Sequence, residues 1–112
     1  MYGEMAAENY LIKQGFKILE TGFRCRSGEI DIIASLNKDI YFIEVKTRWS
    51  LDFGSPLEAV DLRKQGQIIR VAEFYMIRPA CAGYECCHLS VIGVDMTGDE
   101  AKIEFIADAF ET

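Results

Sequence analysis

The chain has 112 residues, half of them hydrophobic and 27% charged, which makes a single globular domain over 1–112 the expectation, with core enough to need no staples. No apolar run approaches the roughly 20 residues that a bilayer span requires. Met1 to Asn9 carries two glutamates in place of a basic patch and an apolar stretch, so the expected compartment is the cytoplasm, with no membrane partner.

The net charge of −6 argues at first against nucleic acid. Its distribution reverses that reading: residues 1–84 hold 11 acidic and 11 basic side chains, whereas residues 85–112 hold seven acidic ones and only Lys102. Local fields steer a ligand more than the total does, so Arg24, Arg26, Lys46, Arg48, Arg63, Lys64 and Arg70 remain candidates for a basic surface. The four cysteines Cys25, Cys81, Cys86 and Cys87 are expected as free thiols. Together with His88 they lack the C-x-x-C pairs of a zinc site.

In chain order, Gly3 to Gln14 predicts a helix with Met5, Ala6, Tyr10 and Leu11 on one face and Gly15 placed to end it. Phe16 to Leu19 predicts a short strand leading to a turn at Thr21 and Gly22. Glu29–Ala34 and Ile40–Thr47 are rich in isoleucine, valine and aromatics, and the polar run 35–39 between them predicts an antiparallel hairpin. Ser55 followed by Pro56 predicts an N-cap and a helix from about Pro56 to Ile77, with Val60, Ile68, Ile69, Ala72, Phe74 and Tyr75 apolar. After Arg78 and Pro79, Leu89–Val94 and Ile103–Ile106 predict two more strands around a turn at Thr97 to Asp99. Helix, strands, helix, strands implies an α/β fold, a mixed sheet flanked by helices. The lone Trp49 is a candidate to stack on a base but is read first as packing.

The chemistry concentrates on the strand Ile40–Thr47. Alternation puts Phe42, Glu44 and Lys46 on one face and Tyr41, Ile43, Val45 and Thr47 on the other, which is read as the core face. Asp31, between Ile30 and Ile32, is read as facing away from a core-directed isoleucine pair. Pairing Ser35 with Ile40 sets Asp31 opposite Glu44, and a slip of one residue would separate them. Two opposed carboxylates repel and want a cation. Mg²⁺ or Mn²⁺ suits such oxygen donors, with the Val45 carbonyl as a further ligand, and Lys46 is then placed to orient a water or to stabilise developing negative charge. The plain alternative is a solvated hairpin face with a salt bridge.

Gly28-Glu29-Ile30-Asp31-Ile32-Ile33-Ala34 followed by Phe42-Ile43-Glu44-Val45-Lys46-Thr47-Arg48 resembles the PD-D/E-x-K nuclease signature, and most closely the small bacterial YraN-like proteins. The similarity extends through Gly3-Glu4, Ala7, Tyr10-Leu11, Gly15-Phe16, Phe53-Gly54, Pro56, Glu58-Ala59-Val60 and Ala109-Phe110. It implies a restriction-endonuclease-like fold of the Holliday-junction-resolvase kind, with a metal at Asp31 and Glu44, Glu4 brought in by the first helix in preference to Glu8, and a homodimer. On the sequence alone Glu4 also suits a helix N-terminus. The late strand departs from these relatives, reading Leu89-Ser90-Val91-Ile92 where they commonly carry an aromatic and an aspartate before two valines.

The expected function is a Mg²⁺- or Mn²⁺-dependent nuclease acting on DNA repair or recombination intermediates, with Arg26, Arg48, Lys64 and Arg70 as phosphate contacts. The alternative is a catalytically silent nucleic-acid-binding or adaptor module on the same fold.

Overall fold

The structure is a computed structural model that describes residues 2–49 and 56–111. Two α-helices and five β-strands follow in the order α1 (Tyr2–Lys13), β1 (Lys17–Cys25), β2 (Gly28–Leu36), β3 (Asp39–Arg48), α2 (Leu62–Met76), β4 (Cys86–Asp95) and β5 (Lys102–Ile106). The sheet keeps chain order, β1-β2-β3-β4-β5. β3 and β4 run parallel across the connection that contains α2, and every other neighbouring pair is antiparallel. This is the expected mixed α/β architecture and is compatible with a restriction-endonuclease-like fold. Among the described residues no helix is long and apolar enough to cross a membrane.

A parallel strand pair needs cover on both faces, and both are covered here. On one face Phe42 and Val91 pack with Ile68, Val71, Ala72 and Tyr75 of α2. On the other Tyr41, Ile43, Ile92 and Val94 pack with Ala7 and Leu11 of α1. The expectation that only the Tyr41 face of β3 is core therefore fails, because α2 returns over the Phe42 face. Met5 and Phe74, expected on the inner helix faces, stand exposed.

Local chemistry explains most of the element ends. Gly15 takes φ 95° after the last turn of α1, and the Phe16 N–H donates to the Leu11 carbonyl, so the helix stops as expected. Leu36 pairs with Asp39, so the β2–β3 turn is only Asn37 and Lys38 rather than five residues, with Asn37 at φ 57° in the left-handed region that asparagine tolerates. The first strand runs on to Cys25, because Gly22 absorbs a φ of 59° inside it instead of turning the chain. The second helix begins at Leu62, not at Pro56. Asp61 is its N-cap, accepting from the Lys64 N–H at 2.9 Å, after a short 3-10 turn at Leu57–Ala59. Ser55, the expected cap, lies outside the described residues, as do Phe53 and Gly54.

The chain after β5 is tied down by polar contacts. Ser90, fully buried, donates its hydroxyl to the Ala107 carbonyl. His88 stacks on Tyr41 at 4.3 Å and bonds Asp108 through Nδ1 at 2.6 Å and Asp39 through Nε2 at 2.9 Å. Only the imidazolium donates from both nitrogens. Burial pulls its pKa down, but the bonds to Asp108 and Asp39 outweigh that and leave it above the ordinary histidine value.

A raised folded-state pKa stabilises the fold fully below about pH 6.5, the unfolded value, and that stability is lost as pH rises through the folded value. Thermal melts from pH 6 to pH 9 should therefore show wild type ahead of His88→Gln by about 1 kcal/mol at the acid end, with the gap closing at the alkaline end. A constant gap would mean that the imidazole acts through packing alone.

Candidate functional site

The ladder between β2 and β3 runs from Leu36↔Asp39 to Ile32↔Ile43 and ends there. Beyond it the Val45 N–H donates to Asp31 Oδ2 at 2.8 Å, so a side-chain carboxylate stands where a backbone acceptor of β2 would be. The N–H and C=O of one strand residue face the same neighbour, which turns the Val45 carbonyl toward the same opening. On the far side of β2, the pairs Thr21↔Ile32 and Phe23↔Ile30 flank Gly22, whose left-handed φ breaks the alternation opposite Asp31. Consequently Ile30 packs on the α2 face and Ile32 on the α1 face. The expected same-face isoleucine pair does not exist, and Asp31 sits where the strand changes face.

The expected Ser35↔Ile40 register is the one observed, and the next step after Ile32↔Ile43 brings Asp31 to Glu44. Glu44 is only 4% exposed. Its carboxyl pKa is pushed up to about 7, first by burial, then by the charge of Asp31 and a hydrogen bond between the two carboxyl groups, while Lys64 and Lys46 pull it back. Such a bond requires that one carboxyl hold a proton.

Two ammonium groups reach the same oxygen of Glu44. Lys46 Nζ lies 3.5 Å from Oε2, from two residues along β3, and Lys64 Nζ lies 3.6 Å from it, from α2. Lys64 also donates to Gln67 Oε1 at 3.0 Å, one helical turn on. Gln67 in turn lies over Gly28, where a Cβ would stand 2.5 Å from its side-chain carbons, so a glycine there lets β2 and α2 approach.

Glu4 arrives from α1. Gly3 lies against Thr47 so closely that any Cβ would collide with the threonine hydroxyl, which brings the first turn of α1 down onto β3. The Glu4 carboxyl has a raised pKa, from burial first and the charge of Asp31 second, so it lies within the field of the pair. It does not complete a cluster: among the described residues no three His, Cys, Asp or Glu side chains are gathered closely enough to hold a metal ion. That statement also covers Cys81, Cys86, Cys87 and His88.

The candidate phosphate contacts disperse. Arg48 is engaged with Asp95 at 2.7 Å, and Asp95 is held well below the usual carboxylate range by the Thr97 hydroxyl and then by Arg48. Arg26, in the β1–β2 turn, and Arg70, on α2, are exposed. Lys64 points into the site instead. Trp49, expected to pack, is 62% exposed. Lys46 also borders an apolar cavity of about 350 Å³ lined by Thr47, Gly93, Val94 and Ile103, which Asp31 and Glu44 do not reach. The approach of Lys64 and Gln67 to the carboxylates was missed from sequence. Their i, i+3 spacing was the available signal, but it gives no clue to which strand they face.

Comparison with known proteins places the chain. Residues 3–94 match the model described as "Uncharacterised protein family UPF0102". A UPF0102 protein of Caldicellulosiruptor bescii is 45% identical over 111 residues, covering 97% of this chain and 93% of the relative. One from Clostridium acetobutylicum is 46% identical over 113 residues, covering 98% and 91%, and one from Clostridium perfringens is 45% identical over 111 residues, covering 97% and 90%. With the family match spanning most of the chain and these relatives aligned almost end to end, the chain belongs to the UPF0102 family, the YraN-like proteins.

Proposed function

We propose that this chain is a nuclease of the PD-D/E-x-K type, hydrolysing DNA phosphodiester bonds with Mg²⁺ or Mn²⁺. The observation that carries the reading is the juxtaposition of the Asp31 and Glu44 carboxyl groups at the end of the β2–β3 ladder, with Glu44 buried and the Lys46 ammonium 3.5 Å from it. A pair that holds a proton near neutrality is one that a divalent cation can take over. Its donors are all oxygen: two carboxylates and the Val45 carbonyl, with the Glu4 carboxyl within the field of Asp31. That set suits a hard ion that keeps several waters and takes substrate phosphate as well.

Bound there, the ion would supply charge for the phosphoryl oxygen and lower the pKa of an attacking water. Asp31 and Glu44 would hold it. Lys46 has no lone pair to give when charged, so its work is to orient water or to meet negative charge on the phosphate. Exposed Arg26 and Arg70 are further candidates for phosphate contact.

A second reading has its own support. Glu44 already has two lysine partners and no third carboxylate among the described residues completes the cluster, an arrangement that a silent DNA-binding or adaptor module would retain. Incubating the protein with linear, single-stranded, flapped and four-way DNA in Mg²⁺, Mn²⁺ or EDTA separates the two. Cleavage of at least one substrate, dependent on the metal and absent in Glu44→Gln, is the expected result. No cleavage of any, with wild type equal to the variant, would leave the binding module.

A further inference from the structure

Lys46 belongs to the strand that carries the signature, but Lys64 does not. It comes from α2, which covers the Phe42 face of β3, and its ammonium lies as near to Glu44 Oε2 as that of Lys46 does, 3.6 Å against 3.5 Å. Three features hold it there. Its backbone N–H is fixed by the Asp61 cap, its Nζ is held by Gln67 Oε1 at 3.0 Å, and Gln67 lies over Gly28 of β2. Its side chain is 29% exposed, so it stands at the rim and is not sealed beneath the carboxylates.

We infer that Lys64 is a second phosphate-binding cation of this site: it rests on Glu44 while that carboxylate carries uncompensated charge, and turns to a DNA phosphate once the charge of Glu44 is taken up. The inference rests on the nuclease reading of Asp31 and Glu44. It adds that substrate is gripped from two sides of one carboxylate, by β3 through Lys46 and by α2 through Lys64. A phosphodiester offers two unesterified oxygens bearing one charge between them, and two ammonium groups flanking one position can each take one.

The experiment reads DNA binding without metal or turnover. Fluorescence anisotropy of a short labelled duplex and its matching single strand is titrated in EDTA across a salt series, using wild type, Glu44→Gln, and Glu44→Gln combined with Lys64→Gln or Lys64→Arg. Removing the Glu44 charge frees both lysines, so Glu44→Gln should bind more tightly than wild type. Adding Lys64→Gln should cancel that gain and lower the slope of log K against log salt by about 0.9 on duplex, or about 0.7 on single strand, which for duplex is roughly eightfold in affinity at 0.1 M salt. Lys64→Arg should keep both slope and affinity, which a role in packing α2 would not predict.

If Glu44→Gln binds DNA with the same salt slope whether residue 64 is lysine or glutamine, the assignment of Lys64 is overturned and the nuclease reading stands. If neither wild type nor Glu44→Gln shows salt-dependent binding to either probe, both are overturned. Thermal melts of each variant confirm that the comparison is between folded proteins.

Discussion

Lys46→Met is expected to lower kcat on the cleaved DNA by about 10²- to 10³-fold, the usual cost of removing one preorganised charge-stabilising group, while leaving Mn²⁺ affinity nearly unchanged. The separation follows from chemistry and position. An ammonium cannot ligate a cation, and Lys46 meets Glu44 at 3.5 Å through an exposed rim, its own side chain 35% open to solvent. Losing it removes a partner that Lys64 continues to supply, so Glu44 keeps one cation in the metal-free protein. Single-turnover cleavage at saturating metal measures the first quantity and calorimetric titration with Mn²⁺ the second. Loss of metal affinity in step with activity would show that the lysine acts by holding Glu44 and not by acting on water or phosphate.

Glu44→Gln is expected to make the metal-free protein more stable at pH 8, by roughly 1 to 3 kcal/mol, between a cross-strand charge contact and the full linkage of the shifted carboxyl. The folded-state pKa of Glu44, about 7, lies above the ordinary value of 4.5. Wild type therefore has its full share of stability below about pH 4.5, and loses it as pH rises through 7 and the buried proton leaves. Glutamine has no proton to lose and can still donate to Asp31. Lys46 and Lys64, left without the carboxylate, are exposed enough to reach water.

The advantage of the variant should shrink as pH falls from 8 to 5. Mn²⁺ should reverse the order: a ligand bound only by the folded state adds about 2.7 kcal/mol at a hundredfold excess over its dissociation constant, and the variant should lose most of that. Chelator-treated melts with and without Mn²⁺ decide. A metal-free Glu44→Gln less stable than wild type, with metal shifting both equally, would identify Glu44 as an ordinary ion-pair residue.

The elements legible in the sequence were those set by local chemistry. Gly15 ended α1 and the β-branched runs gave β2 and β3, while the Ser35↔Ile40 register, an assumption on the sequence alone, is the one observed. That register is what brought Asp31 to Glu44. The start of α2 was misplaced because two capping signals compete within seven residues, Ser55-Pro56 and Asp61, and propensity does not rank them. Reading one face of β3 as solvent also failed, because alternation reports which residues share a face and is silent on whether a second helix covers it. The sequence reading of Lys64 as a phosphate contact gives no sign of its place beside Glu44 for a similar reason: only the packing of α2 shows that its ammonium shares an oxygen with Lys46.

Asp31 has a second occupation. Its carboxylate accepts the Val45 N–H at 2.8 Å, closing the gap where β2 no longer offers a backbone acceptor. A buried donor left without a partner costs on the order of 1 to 3 kcal/mol. A relative with or without catalysis would therefore be selected to keep an oxygen at position 31, as aspartate or asparagine, whereas Lys46 is held by an ion pair with Glu44. In comparing members of such a lineage, persistence at position 31 is uninformative about chemistry, and on the nuclease reading drift at position 46 is the expected mark of lost cleavage. An alanine at 31 would mislead at the bench for the same reason, since it removes a structural bond together with the candidate ligand; asparagine, which retains the acceptor, is the substitution that isolates the charge.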